Sequence, residues 1–178
     1  AGLSSVSQGG DNIGGVINIK SNNIELSESG TTIIHGKVQT FYKSNNDAAG
    51  LNLSFSRANQ DTAVKYFGSF VEAKNSFSGS SFKDAGLAAS DRGYLAGDEI
   101  GSTRFKNQNH KFTLVKKDQN HFYEATLSYQ DSPYQSFPNQ RMDSVGNTNY
   151  QINIRHEVDY VWGKVNSQVY YDDTNHKH

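Results

Sequence analysis

The residues best placed to do chemistry lie in "PYQSFPNQRMD", residues 133–143. Tyr134, Gln140, Arg141 and Asp143 bring an aromatic ring, an amide and both charges into one short stretch. A guanidinium there can grip a carboxylate or phosphate bidentately. The competing reading is an Arg141–Asp143 pair that orders its own loop. His176 and His178 stand two apart, so a strand would present both on one face, a spacing able to chelate a metal. A polar strand end running into a loop explains them equally. The chain has no Cys and a single Met, Met142, which argues against a soft-metal site built from this chain alone, though ligands could come from parts outside it; no cofactor is expected. Ser, Asp and His are scattered without nucleophile-elbow spacing, so an enzyme is not expected.

A different stretch, "GGDNIGGVINIK" at residues 9–20, invites a phosphate-loop reading. It fails on two counts. It lacks the Gly-Lys-Ser/Thr ending, and Val16 to Lys20 reads as a strand, so no helix N-terminus faces the glycines. Gly9, Gly10, Gly14 and Gly15 are then turn and packing residues, and Asp11 suits the same turn.

The elements that must position these residues have a period of two. In residues 150–160, Tyr150, Ile152, Ile154, His156, Val158 and Tyr160 fall on one face, against Gln151, Asn153, Arg155, Glu157 and Asp159 on the other. The pattern recurs at 51–56, 121–130 and 164–172, and more weakly at 34–42, 63–72 and 110–116. That is about seven strands and no helix. Short connections at 59–61, 117–120 and 161–163 alternate with longer ones at 44–50, 75–109 and 132–149. In an up-and-down sheet, alternate turns lie at opposite ends, so one end is tight and the other carries large loops.

Composition agrees with this layout. Only 34% of the 178 residues are hydrophobic and the net charge is −1. Mean hydropathy is −0.73, low for a buried core but normal for a wall with one wet face. No basic run points to nucleic acid. About ten residues tilted near 45° cross a bilayer's hydrocarbon core. Short turns on one side and long loops on the other describe an outer-membrane barrel. Tyr150, Tyr160, Trp162, Tyr170 and Tyr171 would then mark the headgroup girdles. A soluble β-sandwich is the alternative that alternation alone leaves open.

"GGDNIGGVINIK" resembles the end of the plug domain of TonB-dependent outer-membrane receptors, where a Gly-rich turn precedes the first barrel strand. "PYQSFPNQRMD" is similar to a segment found in one subgroup of them. The resemblance implies an all-β chain, an antiparallel up-and-down meander forming a partial transmembrane β-barrel with a short plug-domain remnant. Residues 1–20 would end the plug, 21–32 link, and 33–178 supply about the first seven strands of a barrel of about 22. It implies energised uptake of a ferric siderophore or other metal chelate across the bacterial outer membrane. The partners would be outer-membrane lipid and lipopolysaccharide, TonB acting through a part outside this chain, and the chelate. Charges in residues 87–105 would be ordinary loop charges or contacts for lipopolysaccharide or a cation. A passive porin or adhesin barrel, and a soluble β-sheet binding module, are the rival classes.

Overall fold

The computed structural model describes residues 25–87, 93–138 and 143–177. Among them there is no helix, and the strands run β1 (Ile33–Lys43), β2 (Ala48–Ala58), β3 (Thr62–Ala73), β4 (Ser76–Phe77), β5 (Gly86–Leu87), β6 (Tyr94–Leu95), β7 (Glu99–Ile100), β8 (Phe105–Asp118), β9 (His121–Gln135), β10 (Gly146–Tyr160) and β11 (Gly163–Lys177). Seven of them form one antiparallel sheet in the order β1-β2-β3-β8-β9-β10-β11. The seven strands expected from alternation over 34–172 are there, each longer than the alternation suggested, while the strand expected at Val16 to Lys20 lies outside the described residues. The four short strands were not expected. They pair as β4 with β7 and β5 with β6 inside the long β3–β8 connection.

The ladder register sorts the side chains onto two unlike faces. One carries Val38, Leu53, Phe55, Val64, Phe112, Leu114, Leu127, Ile152, Ile154 and Val169. The other carries Asn52, Ser54, Ser69, Asn109, Thr126, Ser128, Gln151, Asn153, Asn166 and Gln168. Tyr171 lies on the apolar face opposite Ile152, as expected. Tyr170 does not. It pairs with Asn153 on the polar face, because neighbours in a strand point opposite ways.

Nothing among the described residues covers the apolar face. Among the described residues the buried apolar ones are only Ala48, Ala58, Ala63, Ala73, Val115 and Val158. Ile154 is 52% exposed and Val169 69%. A sandwich would tuck such residues against a second sheet; among the described residues the other sheets are just the two-stranded ones in the loop. The sheet is open, with β1 and β11 as its edges.

Rings mark both ends of the apolar face. Towards the long loops, Tyr66, His110, Tyr129 and Tyr150 form a row across four adjacent strands, with centroid spacings of 6.2, 6.1 and 4.9 Å. Gly68 makes room for this row. A Cβ there would sit 2.6 Å from the Tyr66 hydroxyl, which bonds to His110 Nδ1 at 2.8 Å. Towards the tight turns, Tyr123 stacks on His156 at 4.5 Å, and Tyr160 on Trp162 at 5.2 Å. Ten residues separate Tyr150 from Tyr160. At about 3.3 Å per residue and a tilt near 45°, that is roughly 23 Å along a barrel axis.

Each tight turn has its own chemistry. Asn59 Oδ1 accepts from the Asp61 N–H (3.0 Å), the Thr62 N–H (2.7 Å) and the Thr62 hydroxyl (2.9 Å), an Asx turn. Gln119 adopts φ 51° between the paired residues Asp118 and His121. The chain ahead of β1 reaches this same end. Leu26 packs on the cluster Ala58, Ala63 and Val115, and the Ser27 N–H donates to the Asn59 carbonyl at 3.0 Å. All three cluster residues belong to the polar face, so residues 26–27 lie on that side.

Candidate functional site

Two regions gather reactive side chains: the loop end of the sheet, and the charged polar face.

At the loop end, Asn45 reaches from the β1–β2 turn to the large connection. Its amide donates to the Phe77 carbonyl (2.8 Å) and accepts from the Phe77 N–H (2.9 Å). Asn75 accepts from the N–H groups of Thr103 and Arg104, both at 3.1 Å, and donates to Glu99 Oε1 at 2.8 Å. These bonds replace a core in holding the loop. Asp47 accepts from the Tyr42 hydroxyl at 2.7 Å and pairs with Lys74 Nζ at 3.0 Å. The Tyr42 hydrogen bond first, then Lys74, holds the Asp47 carboxyl below its ordinary range, and Asp47 raises Lys74 above its own.

Tyr134 closes a neighbouring cluster. In β9, Pro133 falls where three steps of β9 span two of β8, from Lys106↔Tyr134 to Gln108↔Asp131. Proline has no N–H to give a ladder, so a bulge suits it. The Ser132 hydroxyl donates to the Lys106 carbonyl at 3.0 Å across the bulge. The extra residue turns Tyr134 to the apolar face. Its hydroxyl donates to Glu72 Oε1 at 3.0 Å, Lys106 Nζ lies 3.2 Å from Glu72 Oε2, and the Arg104 guanidinium lies 5.2 Å over the ring.

Asp143 Oδ1 accepts from the Phe137 N–H at 3.0 Å, so this carboxylate orders its own loop. A Gln135–Ser144 bridge next to both brings Tyr134 and Asp143 to one loop base. Gln140 and Arg141 lie outside the described residues, as do Gly9, Gly10, Asp11, Gly14, Gly15 and His178. His176 sits on the polar face opposite Asn147. Among the described residues no three metal-ligating side chains converge.

The polar face is divided by charge. On β9, β10 and β11, Arg155 lies 3.3 Å from Glu124 and 3.4 Å from Glu157, and Lys164 lies 3.4 Å from Asp159. Asn149 and Gln151 both donate to Asp172, at 3.0 and 2.6 Å. On β1, β2, β3 and β8 the same face carries His35, Lys37, Lys43, Lys65, Lys111 and Lys117, and no carboxylate. This division was missed in the sequence, where β1 and β3 alternate only weakly. The signal was present as a run of lysines at odd positions without an acid among them.

No protein-family model, curated protein or solved structure matches the chain.

Proposed function

We propose that the chain is part of the wall of an outer-membrane β-barrel, in a TonB-dependent receptor taking up a scarce ligand such as a ferric siderophore or other metal chelate. One observation carries the reading: a single uncovered meander with an apolar face framed by two bands of rings and a polar face across its whole width. Lipid would meet the first face and water the second. The roughly 23 Å between Tyr150 and Tyr160 suits the apolar belt of such barrels, about 25 Å tall. Lys106 and Arg104, at the loop end of the apolar face, suit the phosphates of lipopolysaccharide. In the receptor, the loops capture ligand and TonB supplies the work that releases it inward. The entry of residues 26–27 on the polar face supports a plug leading from the wet side. It also favours the receptor over a passive porin or adhesin barrel.

Trp162 is the single tryptophan, 76% exposed at a tight turn, and reports the wall directly. In the whole barrel, with any other tryptophan replaced by Phe and the protein in vesicles of lipids brominated at graded depths, its fluorescence should quench most strongly near the headgroups. Quenching at no depth, with the protein folded, sinks the membrane reading. The receptor is tested separately: a strain lacking the gene should grow poorly when iron is supplied only as a chelate, and expressing the gene should restore growth. Normal growth on every metal chelate leaves the porin.

A further inference from the structure

The basic flank of the polar face contains an open depression of ≈ 360 Å³ near the tight-turn end, lined by His35, Lys37, Ser54, Ser56 and Lys65 together with Gly36 and Phe55. We propose that it is a seat for a soluble polycarboxylate or phosphate-bearing anion. The proposal rests on the receptor reading for where such a solute comes from, and narrows that reading to an anionic class of ligand.

The register explains the seat. His35, Ser56 and Lys65 form one row across β1, β2 and β3, and Lys37 and Ser54 begin the next. Lys37 and Lys65 are two strands and two residues apart, about 12 Å between their Cα atoms. Ser54 and Ser56, on β2, lie between them in the ladder. One small ion cannot satisfy both ammonium groups fully, whereas an anion with several separated acidic oxygens can. The serine hydroxyls donate or accept as the ligand requires. The volume falls in the range of small-molecule sites.

The second observation is the absence of a carboxylate from the flank of the face that carries Lys37 and Lys65, in contrast to four cations elsewhere. Lys74, Lys106, Arg155 and Lys164 each have a carboxylate within 4 Å, at 3.0, 3.2, 3.3 and 3.4 Å. Lys37 and Lys65 have none among the described residues, and Lys65 is half-buried. A cation drawn partly out of water gains most from an anion that replaces its lost solvation. The like charges around it, with no acid on that flank, leave the compensation to come from outside the sheet.

Isothermal titration of the full chain in detergent micelles, at low ionic strength, tests the seat with citrate, inorganic phosphate and the neutral sugar raffinose. Citrate should bind, phosphate should bind more weakly, and raffinose should not bind. Lys37→Gln with Lys65→Gln should weaken citrate at least about ten-fold, the loss of charge-assisted hydrogen bonds. Lys164→Gln, on the acidic flank, should leave it unchanged. Circular dichroism of each variant confirms that the sheet is intact. Equal citrate affinity in the folded double variant, or raffinose binding as well as citrate, overturns the proposal, as does a folded wild type that takes up no citrate. A whole protein that stays out of bilayers yet binds citrate through these lysines keeps the seat and loses the receptor. One that inserts but ignores citrate does the reverse.

Discussion

His121 Nδ1 lies 3.1 Å from His156 Nε2 across the β9–β10 ladder, with the rings within 4° of parallel. The centroid separation of 5.3 Å is about the contact distance plus both ring radii, so the imidazoles meet edge to edge, not face to face. Such a bond needs an N–H on one ring and a bare nitrogen on the other. The Tyr123 ring, stacked on His156 at 4.5 Å, holds the pair in plane.

Replacing either histidine by Phe keeps a ring and removes the bond. Each single variant should lose about 0.5–1.5 kcal/mol, more where the orphaned partner stays dry. The double variant should cost little beyond one single variant, because the second change removes a group already without its partner. Urea unfolding from vesicles measures this; fully additive costs would mean that the bond contributes nothing.

Gly68→Val should disturb the outer ring row. Its side chain would collide with the Tyr66 hydroxyl and push it from His110. A cost of about 1–3 kcal/mol follows from overpacking. The same change at Gly36, whose Cβ position has nothing within 4 Å, should cost far less.

The Asp47–Lys74 tie has a defined pH window. Asp47 has a lowered folded pKa, so its contribution is present above the ordinary carboxylate range and disappears as pH falls through the lowered value. Lys74 has a raised one, so its contribution is complete below the ordinary lysine range and disappears as pH rises through the raised value. The tie therefore holds across neutral pH. Carboxyl NMR titration should find Asp47 below the ordinary range, and Tyr42→Phe should move it upward because the largest cause is gone. An unchanged titration in that variant contradicts the assignment.

Asn59→Ala removes the acceptor for three donors in the β2–β3 turn. A loss of about 1–2 kcal/mol is expected, as for other side-chain caps on backbone N–H groups. Asn59→Asp should retain most of the stability, because its carboxylate offers the same acceptor.

Alternation made the seven long strands readable, clearly in β2, β9, β10 and β11 and more weakly in β1, β3 and β8. The four short strands were beyond that reach: a two-residue ladder has no period. Their order comes from Asn45, Asn75, Thr103 and Glu99 bonding to the loop backbone, a pattern that polar composition conceals. Tyr170 was misplaced by weighing residue type over parity, although Tyr171 already occupied the apolar side. Tyr134 was read as part of the long connection 132–149, but β9 runs on to Gln135, and the bulge at Pro133 sets the face on which its ring lies. The Lys37–Lys65 seat depends on cross-strand register, which no stretch of one strand contains.

The split between lysine-rich and carboxylate-bearing flanks has a consequence for anything passing close by. Side by side, the two halves act as a dipole lying across the strands, and its field reaches about 8 Å at physiological ionic strength. A solute with separated charges would be rotated by that sideways field before touching any residue, arriving with its anionic end towards β1 and its cationic end towards β11.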